Sequence, residues 1–216
     1  PAPESLSEEA VYVELDDQSN VEVQDSITEI LFVDSGVEGY ESLVENFDRN
    51  VEVLVIPEDQ DGVEFISSVL ETRENLTGVH IFSHGNSGEI TLGSTVLNEA
   101  NVSEYKTALQ NWAGALSADA DILIYGCNFG QSDAVLNEIA LLTSADIAAS
   151  DNLTGDSELG GDADLEVKLG QIETKEVFSQ EQLNRAKVIL AQPQTAPTAK
   201  FTWDPANGNT QPKSTS

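Results

Sequence analysis

From Ile27 onward, short apolar runs alternate with segments whose apolar residues recur every three or four positions. The run ITEILFVDSG ends in small polar residues, as a strand buried on both faces does. Tyr40–Phe47 has the apolar spacing of a helix, and Val51–Pro57 is a second strand closed by proline. Gly62–Arg73 is an amphipathic helix, and Gly78–Ser83 a third strand. Glu89–Leu97 predicts a hairpin turning near Gly93 and Ser94. Val102–Leu116 is the longest helix expected, followed by a fourth strand at Ala120–Tyr125. A helix at Ser132–Thr143 and a fifth strand at Asp146–Ser150 come next. Leu165–Thr174 alternates as a late strand would, with an antiparallel placement open to it. Ser179–Leu190 reads as a final helix, with Ser179 as N-cap and Glu181 in the first turn. Alternation of this kind predicts an α/β fold: a doubly wound, mostly parallel sheet with helices on both faces and right-handed crossovers.

Length and punctuation divide the chain. Of its 216 residues, 1–25 form an acidic leader in which Val11–Val23 offers an edge strand. Residues 26–192 form one α/β domain. Residues 193–216, rich in Pro, Thr, Asn and Ser, read as a linker or the start of a next module. There is no internal repeat. No apolar run approaches the roughly 20 residues that span a bilayer.

Charge narrows the partners. Thirty-nine acidic residues face nine basic ones, a formal net charge of −30. Such a surface repels nucleic acid and anionic lipid and suits a salt-rich or divalent-rich medium. Solubility in salt explains the acidity more simply than a dedicated metal site, because scattered carboxylates are a weak metal signal. The single cysteine, Cys127, rules out an intramolecular disulfide and leaves a reactive thiol or an inert core residue. Pro1–Glu9 lacks the basic and apolar regions of a signal peptide, and the chain contains no methionine, so a processed product or a piece of a longer chain is expected. A type I export route, with its signal at a distant C-terminus, suits that pattern. Extracellular or cell-surface location is the expectation.

The candidate chemistry sits at strand ends, where open α/β sheets bind ligands. Strand one ends in Asp34-Ser35-Gly36, strand three in Ser83-His84-Gly85-Asn86, and strand four in Tyr125-Gly126-Cys127-Asn128. Taken singly, Cys127 is a small buried hydrophobe and His84 a turn residue. Taken jointly, and if strands three and four are neighbours, they are a thiol nucleophile beside its base. Gly85 and Gly126 allow close backbone approach, and free N–H groups after such turns can hold an oxyanion. His80 shares the side-chain parity of His84 but lies inside its strand, so a hydrogen-bonded core role fits it best.

HIFSHGNSG followed by ADILIYGCNFG resembles the His-Gly and Gly-Cys signatures of the caspase-like (clan CD) cysteine peptidases. Over about Ile27–Thr174 the chain more closely resembles the DUF4347 family, found near the N-termini of giant secreted, adhesin-like proteins. The pieces that carry this likeness are ILFVDSGVEGYESLV, VHIFSHGNSGEITLG, LSADADILIYGCNFG, DIAASDNLTG and GGDADLEVKLGQIET. The resemblance implies His84 as general base and acid, Cys127 as nucleophile, and the N–H groups of Gly85 and Cys127 as oxyanion donors. It also implies a specificity pocket from Asp34, Tyr125, Ser150 and Asp151, whose acidity would favour Arg or Lys at the cleaved position. The toxin members of the clan are switched on by an inositol phosphate in a basic pocket. Nine scattered basic residues make no such cluster here.

No cofactor is expected. Calcium is a candidate only at Asp151–Glu166, whose spacing does not match an EF-hand and which reads better as a solvated acidic loop covering the site. The leading expectation is a cysteine endopeptidase acting on a polypeptide substrate or on its own chain, within a larger secreted protein. The alternative is a catalytically silent structural or adhesive module in the N-terminal region of a surface adhesin. A nucleotide-binding domain is excluded by the absence of G-x-G-x-x-G after the first strand and of any P-loop.

Overall fold

A computed structural model describes residues 27–192 apart from 46 and 48. The expected acidic leader and C-terminal linker lie outside the described residues. The elements in chain order are β1 (Glu29–Asp34), α1 (Tyr40–Val44), β2 (Glu52–Ile56), α2 (Gly62–Leu70), β3 (Leu76–Phe82), β4 (Gly85–Asn86), β5 (Glu89–Leu92), β6 (Thr95–Asn98), α3 (Lys106–Trp112), β7 (Leu116–Tyr125), α4 (Asp133–Thr143), β8 (Asp146–Ala149), β9 (Val167–Leu169) and α5 (Gln180–Ala186).

Six strands form one sheet in the order β2-β1-β3-β7-β8-β9. All neighbours are parallel except β8 and β9. Alternate residues feed two cores. Ile30, Phe32, Val79, Ile81, Ile122 and Ile124 face α2, α3 and α4. Leu31, Val33, Phe82, Leu123 and Tyr125 face Leu43 of α1 and Leu183 of α5. The step from β1 to β2 runs one way along the sheet with its helix on one face. The steps from β2 to β3 and from β7 to β8 run the other way with their helices on the opposite face, as a single crossover hand requires. This is the doubly wound α/β architecture expected from the alternation.

Local chemistry explains where the elements stop. Asp61 caps α2, its side chain accepting from the Val63 and Glu64 amides. Ser179 and Gln182 form a reciprocal capping box at the start of α5. The hairpin turns at Gly93, whose φ of 58° favours glycine and whose missing Cβ leaves room for the Gln60 and Pro57 carbonyls.

Three segments depart from expectation. Val102–Tyr105 is a 3-10 turn and the helix proper covers only Lys106–Trp112, because the chain must re-enter the sheet at Leu116; α4 is the longest helix among the described residues. The late strand pairs with β8 over three residues only. The final helix ends at Ala186. Lys187 adopts the left-handed conformation that terminates helices, and Val188–Ala191 runs on as an extended segment. That segment reappears at the candidate site.

Candidate functional site

β3 and β7 are adjacent and in parallel register, with Phe82 opposite Tyr125. His84 and Cys127 therefore leave the sheet at the same end, two residues beyond their strands. The turns that carry them are in backbone contact: a Cβ on Gly85 would fall 2.7 Å from the Gly126 carbonyl carbon and 2.9 Å from the Cys127 nitrogen. Only glycine permits that approach.

The hairpin holds the His84 turn from one side. The Thr91 amide donates to the His84 carbonyl at 2.9 Å, and the Ser83 hydroxyl donates to the Thr91 carbonyl. The Cys127 turn is held from the other. The Asn128 amide donates to the Asn152 carbonyl at 2.7 Å and the Gly130 amide to the Ser150 carbonyl at 2.8 Å.

The two side chains differ in setting. Cys127 is fully buried in the α1/α5 core. Its sulfur accepts from the Thr154 amide at 3.2 Å and lies 3.7 Å from the Thr154 carbonyl. Burial pushes its thiol pKa up, partly offset by the amides of Thr154 and Leu190. A thiol so placed stays protonated at neutral pH. His84 is half-buried; its Nδ1 is shielded from solvent and makes no hydrogen bond. The imidazole does not hydrogen-bond the thiol. It lies within electrostatic reach of Asp34.

Polar satisfaction marks this end of the sheet. Among the described residues, five buried side-chain polar atoms lack a partner. Three of them, on Ser35, His84 and Thr154, belong to the segments that follow β1, β3 and β8. Buried polar atoms without partners are costly and concentrate at functional sites.

The four residues implied for a specificity pocket do not gather into one. Asp34 is buried on the hairpin side, where its carboxylate accepts from the Gly36 amide at 2.8 Å and the Gly93 amide at 2.5 Å; burial raises its pKa. Tyr125 lies on the opposite face in the α1/α5 core, its hydroxyl accepting from the Val177 amide at 2.8 Å, and burial pushes its pKa upward. Ser150 is buried and bonded to Asn152, whereas Asp151 is exposed. His80 is a core residue: Nε2 contacts Glu29 at 3.0 Å, Nδ1 lies 3.4 Å from the Tyr125 hydroxyl, and the two rings stack.

The Asp151–Glu166 loop is tied through Asn152 to Asp162 and Glu166, and presents Thr154 to Cys127. Carboxylates close enough to share one hard cation lie elsewhere among the described residues. Asp121 in the middle of β7, Asp146 at the start of β8 and Glu173 after β9 bring ligand oxygens within 4.8 Å of one another.

Comparison with protein families matches residues 30–190 to the domain of unknown function DUF4347. The chain belongs to the DUF4347 family. The match takes in every element of the DUF4347 domain's sheet from Ile30 on, both candidate residues and most of the extended segment after α5. No curated protein matches the chain.

Two features of this DUF4347 site go beyond the sequence reading. Thr154 belongs there only to an acidic loop, and the glycine next to it, Gly155, is the available signal of a close backbone approach. The helix predicted over Ser179–Leu190 takes in Val188–Leu190, which the structure makes extended. The β-branched Val188 and Ile189 favour extended chain and were the available signal.

Proposed function

We propose that this DUF4347 domain is a cysteine peptidase related to the caspase-like enzymes, acting on a polypeptide substrate or on its own chain outside the cell. The supporting observation is the placement of His84 and Cys127 at the ends of adjacent parallel strands, with the Gly85 and Gly126–Cys127 backbones in contact. In the reaction His84 takes the thiol proton and Sγ forms a bond to the scissile carbonyl carbon. The carbon–nitrogen bond then breaks, and His84 passes the proton to the departing amine. Water hydrolyses the thioester, releasing the acid and restoring the thiol. The N–H groups of Gly85, once released from the Leu190 carbonyl, and of Cys127 steady the developing oxyanion.

A second reading, a silent structural or adhesive module, is favoured by a different observation: the thiol is buried, its pKa is raised and it lacks a bond to His84. Alkylation of Cys127 by iodoacetamide across pH, in wild type and His84→Ala, separates the two. Fast labelling well below the ordinary thiol pKa of about 8.5, lost without His84, supports the peptidase. Labelling that follows an ordinary or raised pKa and ignores His84 supports the silent module.

A further inference from the structure

The segment after α5 crosses the candidate site as an extended strap. The Gly85 amide donates to the Leu190 carbonyl at 3.0 Å, the Leu190 amide to the Thr154 carbonyl at 3.0 Å, and the Asp156 amide to the Val188 carbonyl at 2.7 Å. The strap thus pairs on one side with the His84–Gly85 turn, through a parallel bridge at Ala191, and on the other with the Thr154–Asp156 loop, through an antiparallel bridge between Ile189 and Gly155. Val188 and Leu190 are buried, while Ile189 and Ala191 are partly exposed. Gly155 is shaped for the strap, since a Cβ there would collide with the Val188 carbonyl and come within 2.8 Å of the Ile189 Cα. The Gln192 side chain fastens the far end, donating to the Thr91 hydroxyl at 2.6 Å.

Two facts set this apart from ordinary core packing. The N–H that an acyl-transfer site would aim at an oxyanion, that of Gly85, here holds the carbonyl of Leu190. Both walls also keep unsatisfied buried atoms, His84 Nδ1 and Thr154 Oγ1, which the strap leaves unpaired. A peptide engages such a slot by adding a strand, its backbone supplying the bonds and its alternate side chains filling pockets.

We infer that the slot between His84–Gly85 and Thr154–Asp156 is a cleft for an extended peptide with apolar side chains at alternate positions, and that Val188–Ala191 is its resident occupant in cis. The strap covers Cys127, and the site opens only when the strap is displaced. This inference rests on the peptidase reading for its purpose but not for its test.

The test is alkylation of Cys127 at pH 8 in the full chain, with Val188→Gly/Leu190→Gly against wild type. The expected result is labelling at least tenfold faster, slowed again by millimolar synthetic VILAQ peptide and not by a scrambled polar peptide. Leu136→Ala, a core truncation in α4, controls for lost stability. Labelling no faster than in a control of equal Tm loss, or no protection by VILAQ, overturns the cleft. Should the double variant fail to fold, Gln192→Ala replaces it. A twofold or greater acceleration at unchanged Tm supports the cleft, and an unchanged rate overturns it. Protection by peptide without any peptide hydrolysis supports the cleft while removing the peptidase. Hydrolysis without protection does the reverse.

Discussion

Two histidines four residues apart on one strand and its turn have opposite surroundings. His80 is fully buried and both of its ring nitrogens face a polar partner. The Val177 amide donates to the Tyr125 hydroxyl, which points at His80 Nδ1, and Nε2–H faces Glu29, itself paired with Arg49 at 2.9 Å. His84 is half-buried, its Nδ1 has no partner, and the next residue in its turn is bonded to the strap. A satisfied network stabilises and specifies a core. A shielded polar atom left unpaired costs stability. His80, in the second half of β3, is thus tied into the core, whereas the turn after the strand keeps an unpaired polar atom at the carboxyl end of the sheet.

The strongest way to break that contrast is by activity. In a peptidase, Cys127→Ala abolishes peptide hydrolysis and His84→Ala lowers kcat/KM by about 10²–10⁴-fold, while His84→Ala changes unfolding free energy by less than about 1 kcal/mol. A steady-state assay beside a denaturant melt measures both. Next in size, Gly155→Val sets a side chain against the strap at a backbone conformation suited to glycine, and should cost about 3 kcal/mol. Urea titration reads this. His80→Ala removes a core residue and orphans its partners, for a loss of roughly 2–3 kcal/mol with no direct effect on Cys127 labelling. A His80 variant as mild as the His84 one would erase the distinction between the two sites.

The smallest effects are in pH. Burial lowers the pKa of His80, so the unfolded chain takes up a proton, near pH 6.5, that the folded one resists. Stability therefore falls as pH drops below about 6.5. Glu29, whose pKa is lowered chiefly by its bond to His80, adds a further loss below about 4.3. At the alkaline end the raised Cys127 pKa works the other way. Folding favours the thiol, so stability is lost as pH rises above the unfolded value of about 8.5. Thermal melts of wild type, His80→Gln and Cys127→Ser across pH 4–10 should show the acid limb reduced in the first variant and the alkaline limb reduced in the second.

Much of this was legible in the residues. Apolar runs ending in small polar residues located the five parallel strands, because such strands must be apolar on both faces. Ser179 announced the start of α5 through capping chemistry that is local to four residues. The ends were harder. Lys187 carries no glycine signal for its left-handed turn, so the last helix was read through to Leu190. The short pairing of the late strand depended on β8, a partner some 20 residues away in sequence.

The layer architecture and the position of His84 and Cys127 just beyond two strands follow from the chain's own pattern, since period-two and period-3.6 patterns are local properties. Strand neighbours, the face each side chain enters, and the pairing of Val188–Ala191 with the Gly85 turn and the Thr154–Asp156 loop emerge only on folding. Those depend on contacts between residues well separated in sequence, such as Phe82 with Tyr125 and Gly85 with Leu190. No local pattern encodes them, because the hydrogen bonds that fix the strap come from Gly85, Thr154 and Asp156, which meet it only once the sheet has formed.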